Sequence, residues 1–240
     1  MSPDPPPPAD LDPEFDSTQL DLELLSGDTD EDSAPEDVRE LPFDQYQRYR
    51  LVADVARHLR GDGPPLRILD VGGRTGVLRR FLPDEHIDLV DRFPAGEPGL
   101  VLGDGARLPF QDQVFDLVTA CDTLEHIPRD DRKAFAAECM RVSRRAVVLA
   151  GPYAGPRVDE AEEILVDFLR EKLGVEHRYL LEHRTNTLPG LDSTSADLEA
   201  GGARKVGIIG HGGVERWLAL MCLALYMDQD PPLRPVARRA

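Results

Sequence analysis

Short apolar runs alternate with segments of helical periodicity through the middle of the chain. The runs are rich in Ile, Leu and Val, and they predict strands at residues 66–71, 87–90, 99–102, 115–120 and 146–150. Helical periodicity begins near residue 76 and again near residue 130. Near-continuous apolar strands separated by helices are typical of a parallel sheet that is covered on both faces. The pattern therefore predicts an α/β fold with a doubly wound, mostly parallel sheet.

Helical spacing of apolar residues also extends over residues 43–59, 158–173 and 214–226. The first of these helices should pack on the sheet just before its first strand. Between the other two, a polar segment rich in turn residues predicts a loop to about residue 202, and the apolar run at 205–210 predicts one late strand. We therefore expect the sheet to be followed by an added C-terminal helical segment.

The formal net charge of −17 is concentrated in the first 40 residues. Fourteen acidic residues and the single base Arg39 give this segment a charge of −13, which leaves −4 for residues 41–240. The segment opens with Pro5–Pro8 and has few large apolar residues, so it cannot offset the entropy of ordering. We expect a disordered tail, within which the acidic and apolar patch Leu20–Leu25 could dock on a protein partner.

The rest of the composition indicates whether nucleic acid or a membrane is an expected partner, and which cellular compartment is expected. No basic region is present that would indicate nucleic-acid binding. The longest late apolar stretch, Trp217–Met227, has only about half of the roughly 20 residues that a membrane span needs. The cysteines Cys121, Cys139 and Cys222 lack disulfide or metal-ligand spacing, and no leader-like segment begins the chain. These features favour a cytoplasmic protein without a membrane span.

Three carboxylates follow three successive predicted strands. Asp70 ends the first strand, Asp91 ends the second, and Asp104 comes just after the third. The carboxyl ends of parallel strands meet at one edge, where a glycine-rich turn at 72–76 would add the N-terminus of a helix. A carboxylate at the second position suits a ribose diol, and one at the third suits an exocyclic amine. Such a cluster repels a bare pyrophosphate but attracts a ligand that carries sulfonium and ammonium groups.

These residues resemble the class I S-adenosylmethionine-dependent methyltransferases, in particular the small-molecule type of methyltransferase domain family 11. The motifs follow one another in the family's order: Ile68–Gly72, Leu89–Asp91, Gly103–Phe110, Phe115–Val118, Leu124–Pro128 and Glu138–Val142. The resemblance implies transfer of a methyl group from S-adenosylmethionine to a small-molecule or carbohydrate-linked acceptor by in-line displacement.

The resemblance also implies a set of cofactor-binding residues. Gly72 and Gly73 would approach the methionine part of the cofactor, and Asp70 would hold its amino end. Asp91 would accept hydrogen bonds from the ribose, and Asp104 from the adenine amine. The full set is Asp70, Gly72, Gly73, Asp91, Arg92, Asp104, Gly105, Cys121 and Asp122.

Arg74 departs from the family pattern, because it stands where the family has its middle glycine. Its side chain could point outward or toward a cofactor carboxylate. For an acceptor that must lose a proton, His126 is the first candidate for the base and Tyr153 is the second. A third group consists of His177, Tyr179, His183 and His211, whose spacing does not indicate a metal site, so no metal ion is expected.

The expected division has three parts. They are an acidic tail over residues 1–40, a cofactor-binding core over 41–152, and a C-terminal completion over 153–240 that supplies a lid on the substrate side. Two alternatives remain open. One is a non-catalytic cofactor-binding or scaffold protein that acts through its acidic tail. The other is a nicotinamide-dependent oxidoreductase, which the glycine spacing at 72–77 disfavours.

Overall fold

The computed structural model describes residues 38, 41–175 and 177–228. In chain order its elements are α1 (Phe43–Arg60), β1 (Arg67–Val71), α2 (Val77–Phe81), β2 (His86–Asp91), β3 (Leu100–Leu102), β4 (Phe115–Cys121), 3-10 turns at Leu124–His126 and Arg129–Asp131, α3 (Arg132–Val142), β5 (Ser143–Ala150), α4 (Pro156–Phe168) continued by a π turn (Leu169–Leu173), α5 (Arg178–Asn186), α6 (Leu191–Ala200) and α7 (Val214–Asp228). All five strands in the middle of the chain lie where the apolar runs predict them.

The five strands form one parallel sheet in the order β3-β2-β1-β4-β5. β1 lies at the centre, with Asp70 opposite Leu89 of β2 and Thr119 of β4. The chain winds outward from β1 to β3 on one side and from β4 to β5 on the other. The switch point between β1 and β4 is where open α/β sheets bind ligands. The doubly wound parallel fold is confirmed.

Alternate residues of the strands pack against helices on opposite faces of the sheet. Ile68 and Leu117 face α1 and α2, whereas Leu69 and Val118 face α3. All four side chains are fully buried. Because both faces are covered, the strands read as continuous apolar runs in the sequence, which is why they were predictable.

The C-terminal helices form a third, smaller apolar cluster. Leu165, Leu169 and Leu180 are buried, and half-buried residues of α7, among them Trp217, pack against them. α4 packs on α7, and α6 packs on α3 of the sheet region. None of the described helices is both long and apolar enough to cross a membrane.

Two expectations for this region are wrong. The segment predicted as a loop contains α5 and α6, whose polar sequences are stabilised by the buried faces that include Leu180 and Thr194. The run at 205–210 forms no strand, and its Ile208 is 57% exposed. A strand needs a neighbour with unpaired backbone groups, and this segment pairs with none of the five strands.

Most of the predicted acidic tail, with its Leu20–Leu25 patch, lies outside the described residues. Val38 is described, and it is fully buried in the cluster beneath α1. Its carbonyl accepts a hydrogen bond of 3.2 Å from the Leu41 N–H. Val38 therefore belongs to the folded core.

Candidate functional site

The turn after β1 is tight, and two of its positions require glycine. Gly72 has a φ of +84°, and its N–H donates to the Val90 carbonyl at 2.8 Å. A Cβ at Gly72 would overlap the Thr123 hydroxyl, and one at Gly73 would overlap the Asp70 carboxylate. Gly72 lines the cavity, whereas Gly73 and Asp70 lie behind the cavity lining.

Asp70 lies directly behind this turn and is fully buried. Neither carboxylate oxygen has a hydrogen-bond partner among the described residues. Burial is the main cause that raises the pKa of Asp70 to about 7; Arg79 lowers it and Asp91 raises it further. Because an unpaired buried carboxyl is costly, a donor or a cation from a ligand would stabilise it.

The end of β2 lies beside the turn that follows β1, and the end of β3 lies beyond it on the same side. Asp91, Arg92 and the exposed ring of Phe93 line the same cavity as Gly72. Asp91 also accepts the Phe93 N–H at 2.8 Å. Sequence reasoning missed Phe93, although an aromatic residue next to the acid that ends β2 was a usable signal.

Asp104 stands apart from the cavity lining. Its carboxylate accepts the Ala106 N–H at 3.0 Å and faces Arg107, which is the geometry of a local turn. Gly105 does line the cavity, and a Cβ there would lie 2.5 Å from the Phe135 ring. Asp104 thus stabilises a local turn, and position 105 is a glycine because the Phe135 ring packs against it.

Cys121 ends β4 and Asp122 follows it, and both residues line the cavity. Burial raises the pKa of the Cys121 thiol. Asp122 has a φ of +48°, uncommon for a residue with a side chain, and its carboxylate lies 2.8 Å from Arg48 of α1. Sequence reasoning missed Arg48, because nothing in a local pattern shows that α1 reaches the end of β4.

Arg74 lines the cavity beside Gly72 and is partly exposed. It forms no ion pair with any residue in the described part of the chain. Its guanidinium therefore offers an uncompensated positive charge next to the glycine turn.

Glu125, His126 and His183 lie close together in the cavity lining, and we call these three residues the acceptor wall. Glu125 is 2% exposed, and burial, followed by the nearby Asp122 charge, raises the pKa of its carboxyl. His126 Nδ1 lies 3.1 Å from the Glu182 carboxylate. His183 Nδ1 lies 2.9 Å from the carboxylate of Glu162.

The other base candidates are less well placed. Burial raises the pKa of Tyr153 to about 12, so its phenol is a weak acid in this setting. His177 and His211 line the cavity, and burial lowers the pKa of each. The Tyr179 side chain lies outside what the structure describes.

Residues 69–150 match the family described as Methyltransferase domain. No curated protein matches the chain. A candidate methyltransferase from Bacillus halodurans aligns at 20% identity and a TM-score of 0.41, over 62% of this chain and 68% of that one. The amino pentose methyltransferase CalS10 from Micromonospora echinaspora, bound to S-adenosylmethionine, aligns at 24% identity and a TM-score of 0.37. The alignment covers 44% of this chain and 50% of that one. The 1,6-didemethyltoxoflavin-N1-methyltransferase from Burkholderia thailandensis, with bound S-adenosylhomocysteine, aligns at 20% identity and a TM-score of 0.34. The alignment covers 41% of this chain and 48% of that one.

The family match covers β1 to β5, the part of the chain that builds the sheet and the glycine turn. It includes the ends of all the strands that line the cavity. Over residues 69–150, the chain therefore matches a methyltransferase domain family.

Proposed function

We propose that this enzyme transfers the methyl group of S-adenosylmethionine to a small-molecule or carbohydrate-linked acceptor that binds against the acceptor wall. The observation that carries the proposal is the buried, unpaired carboxylate of Asp70 behind a turn that admits only glycine. This arrangement fits a ligand that brings an ammonium group close to bare backbone.

The residues around the turn suit the two charged groups of the cofactor's methionine part, its ammonium and its carboxylate. Gly72 and Gly73 would lie against its methionine part, and Asp70 would stabilise the amino end. Arg74, which lines the same cavity, is suited to the methionine carboxylate, since a guanidinium pairs well with a carboxylate. Arg74, which stands where the family has a glycine, would then contribute a binding contact.

The nucleoside end would lie along the ends of β2 and β3. Asp91 can accept hydrogen bonds from two ribose hydroxyls, with Arg92 beside it. The exposed ring of Phe93 offers a flat surface for adenine. Gly105 lines this part of the cavity, whereas the contacts of Asp104 favour a turn-forming role over the one that the resemblance implies.

The acceptor would bind between Cys121, Asp122 and the acceptor wall. Bound S-adenosylmethionine supplies an activated methyl group with a good leaving group, so the protein's task is orientation and exclusion of water. We assign His126 as the group that takes a proton from a hydroxyl or an ammonium acceptor, with Glu182 holding its imidazole. α4 and α5 cover this side of the cavity, as a lid would.

Calorimetric titration of the full-length protein with S-adenosylmethionine tests the proposal. Asp91→Ala should weaken binding by roughly 1–3 kcal/mol through loss of charged hydrogen bonds. The matched control is Asp88→Ala, because Asp88 lies on the same strand but pairs with Arg67 at the surface.

Absence of binding by the folded protein would contradict the proposal. Equal effects of Asp91→Ala and Asp88→Ala would contradict the ribose assignment. Binding without methyl transfer to any of a broad acceptor panel would favour the non-catalytic alternative.

A further inference from the structure

We propose that Glu125, His126 and His183 form a binding site for a divalent transition-metal ion on the acceptor side of the cavity. The inference rests on the proposed methyl transfer and replaces one part of that proposal, the role of His126 as the base, because such an ion would itself activate an acceptor that presents a hydroxyl group. Residue spacing gave no indication of this site, since its members come from the turn after β4 and from α5.

The three side chains converge on one point. Each offers one ligand atom, and the three atoms lie within 4.8 Å of one another. Atoms that bind one zinc ion at about 2.1 Å lie about 3–4 Å apart, so small side-chain movements would complete the site. The two imidazole rings already have their centroids 5.2 Å apart.

Two of the three residues present buried polar atoms that need a partner. Glu125 Oε2 and His183 Nε2 are inaccessible to solvent, and the described part of the chain provides neither with a hydrogen bond. Leaving such atoms unpaired costs free energy, which a shared cation would remove. Packing of the His183 ring alone does not explain why its Nε2 atom is buried without a hydrogen-bond partner among the described residues.

Carboxylates stand behind both histidines. Glu162 lies 2.9 Å from His183 Nδ1, and Glu182 lies 3.1 Å from His126 Nδ1. Histidines that bind metals are commonly held in this way by a second carboxylate, which orients the ring and makes it a stronger ligand.

Further hydrogen bonds hold the two segments of the site together. The Arg132 guanidinium donates to the Ile127 carbonyl at 3.0 Å and to the Asn186 carbonyl at 3.2 Å. The Asn186 amide donates in turn to the His126 carbonyl at 3.2 Å. The turn after β4 and the end of α5 are therefore connected independently of any ion, which pre-organises the ligands.

Two imidazoles and one carboxylate suit Zn²⁺, Fe²⁺ or Co²⁺ better than Mg²⁺, which prefers oxygen ligands. Three protein ligands leave coordination positions open for an acceptor hydroxyl, whose pKa the ion would lower. The hydroxyl releases its proton to solvent, its oxygen forms the new bond to the methyl carbon, and the sulfur–carbon bond breaks to leave a neutral thioether. His126 then acts as a ligand and not as the free base, so the two roles exclude each other.

Titration of the tag-free, metal-free, full-length protein with Co²⁺ tests the site through the visible absorption of the bound ion. We expect one Co²⁺ per chain, displaced by Zn²⁺ and not by an equal concentration of Mg²⁺. Glu125→Gln, which keeps the side-chain shape, and His183→Ala should each weaken binding roughly 100-fold, and Glu162→Gln roughly tenfold. His211→Ala is the matched control, because His211 lines the same cavity outside the cluster.

Calorimetry with S-adenosylmethionine on the same samples separates this inference from the proposed function. No Co²⁺ binding, or binding that Glu125→Gln and His183→Ala leave unchanged, would overturn the metal site while normal cofactor binding leaves the methyltransferase proposal intact. Failure of the folded wild-type protein to bind the cofactor would instead overturn the proposed function. Circular dichroism of each variant establishes that it is folded.

Discussion

The sheet region (residues 66–150) and the C-terminal helical region (residues 153–228) both line the cavity, but they are packed differently. In the sheet region, side chains such as Ile68 and Leu117 are fully buried between two layers of helices. Among the described residues of the helical region, the apolar cluster has the buried members Leu165, Leu169 and Leu180, while Leu223 and Tyr226 of α7 are 48% and 57% exposed.

This difference places the proposed cofactor contacts in the tightly packed region and part of the proposed acceptor side in the loosely packed one. The sheet region carries the proposed cofactor contacts together with Glu125 and His126 of the acceptor wall, whereas the more thinly packed helices carry its third member, His183. Regions with fewer buried contacts open at lower free-energy cost, which suits the side through which an acceptor enters.

Phe135→Ala should give the largest loss of stability. The ring is fully buried beneath the sheet and fills the space beside Gly105, so its removal leaves a cavity. We expect the free energy of unfolding to fall by about 3–5 kcal/mol, measured by urea denaturation. A loss below about 1 kcal/mol would show that the sheet region is not the more tightly packed of the two.

Leu165→Ala makes the corresponding change in the helical region. The side chain is fully buried, but its neighbours on α7 are half-buried and can move into the vacated space. We expect a loss of about 2 kcal/mol and an unchanged affinity for S-adenosylmethionine. A large drop in cofactor affinity would contradict the assignment of this region to the acceptor side.

Asp70 makes the stability of the sheet region depend on pH. Its pKa is raised from an unfolded value near 4 to about 7, so the folded state holds a proton that the unfolded state loses. This group's contribution to stability is therefore complete below about pH 4 and is lost as the pH rises through 7. Between pH 5 and 7, the Asp70 carboxyl should lower the free energy of unfolding of the wild type by about 1 kcal/mol per pH unit. Asp70→Asn should lack this part of the decline.

Urea denaturation of both proteins across this pH range measures the effect. Parallel pH profiles for Asp70→Asn and the wild type would show that the Asp70 carboxyl titrates normally. The same series on Asp88→Asn, at an exposed carboxylate of β2, controls for a general change in surface charge.

Deletion of residues 1–37 should have the smallest effect. Val38 stays in place, and the deleted residues have a composition that cannot form a core of its own. We expect the free energy of unfolding and the cofactor affinity to change by less than about 0.5 kcal/mol. A pronounced fall in melting temperature would mean that the tail packs on the domain.

The sheet and its glycine turn were predictable because their information is local. An apolar run between helices indicates a buried strand, and Gly72 and Asp70 are adjacent in sequence to the strand that positions them. The same local reasoning failed for α5 and α6, whose polar sequences become helical by packing one face against earlier elements.

The acceptor side depended on contacts between distant segments. His126 was identifiable from its position after β4, but its proximity to His183, and the contact of His183 with Glu162, depend on how α4 and α5 pack over the sheet. Arg48 reaches Asp122 for a similar reason, since α1 crosses the end of β4.

The strands, the parallel sheet and the edge where a ligand is expected could be predicted from the sequence, because they follow from short-range patterning and the geometry of parallel strands. The cofactor class followed from the resemblance of the motifs to a known family. Only the tertiary structure decided that Arg74 lines the cavity, that Asp104 makes a turn contact, and that two histidines and a buried glutamate meet. Those facts depend on which side chains burial brings together, and no periodicity along the chain records that.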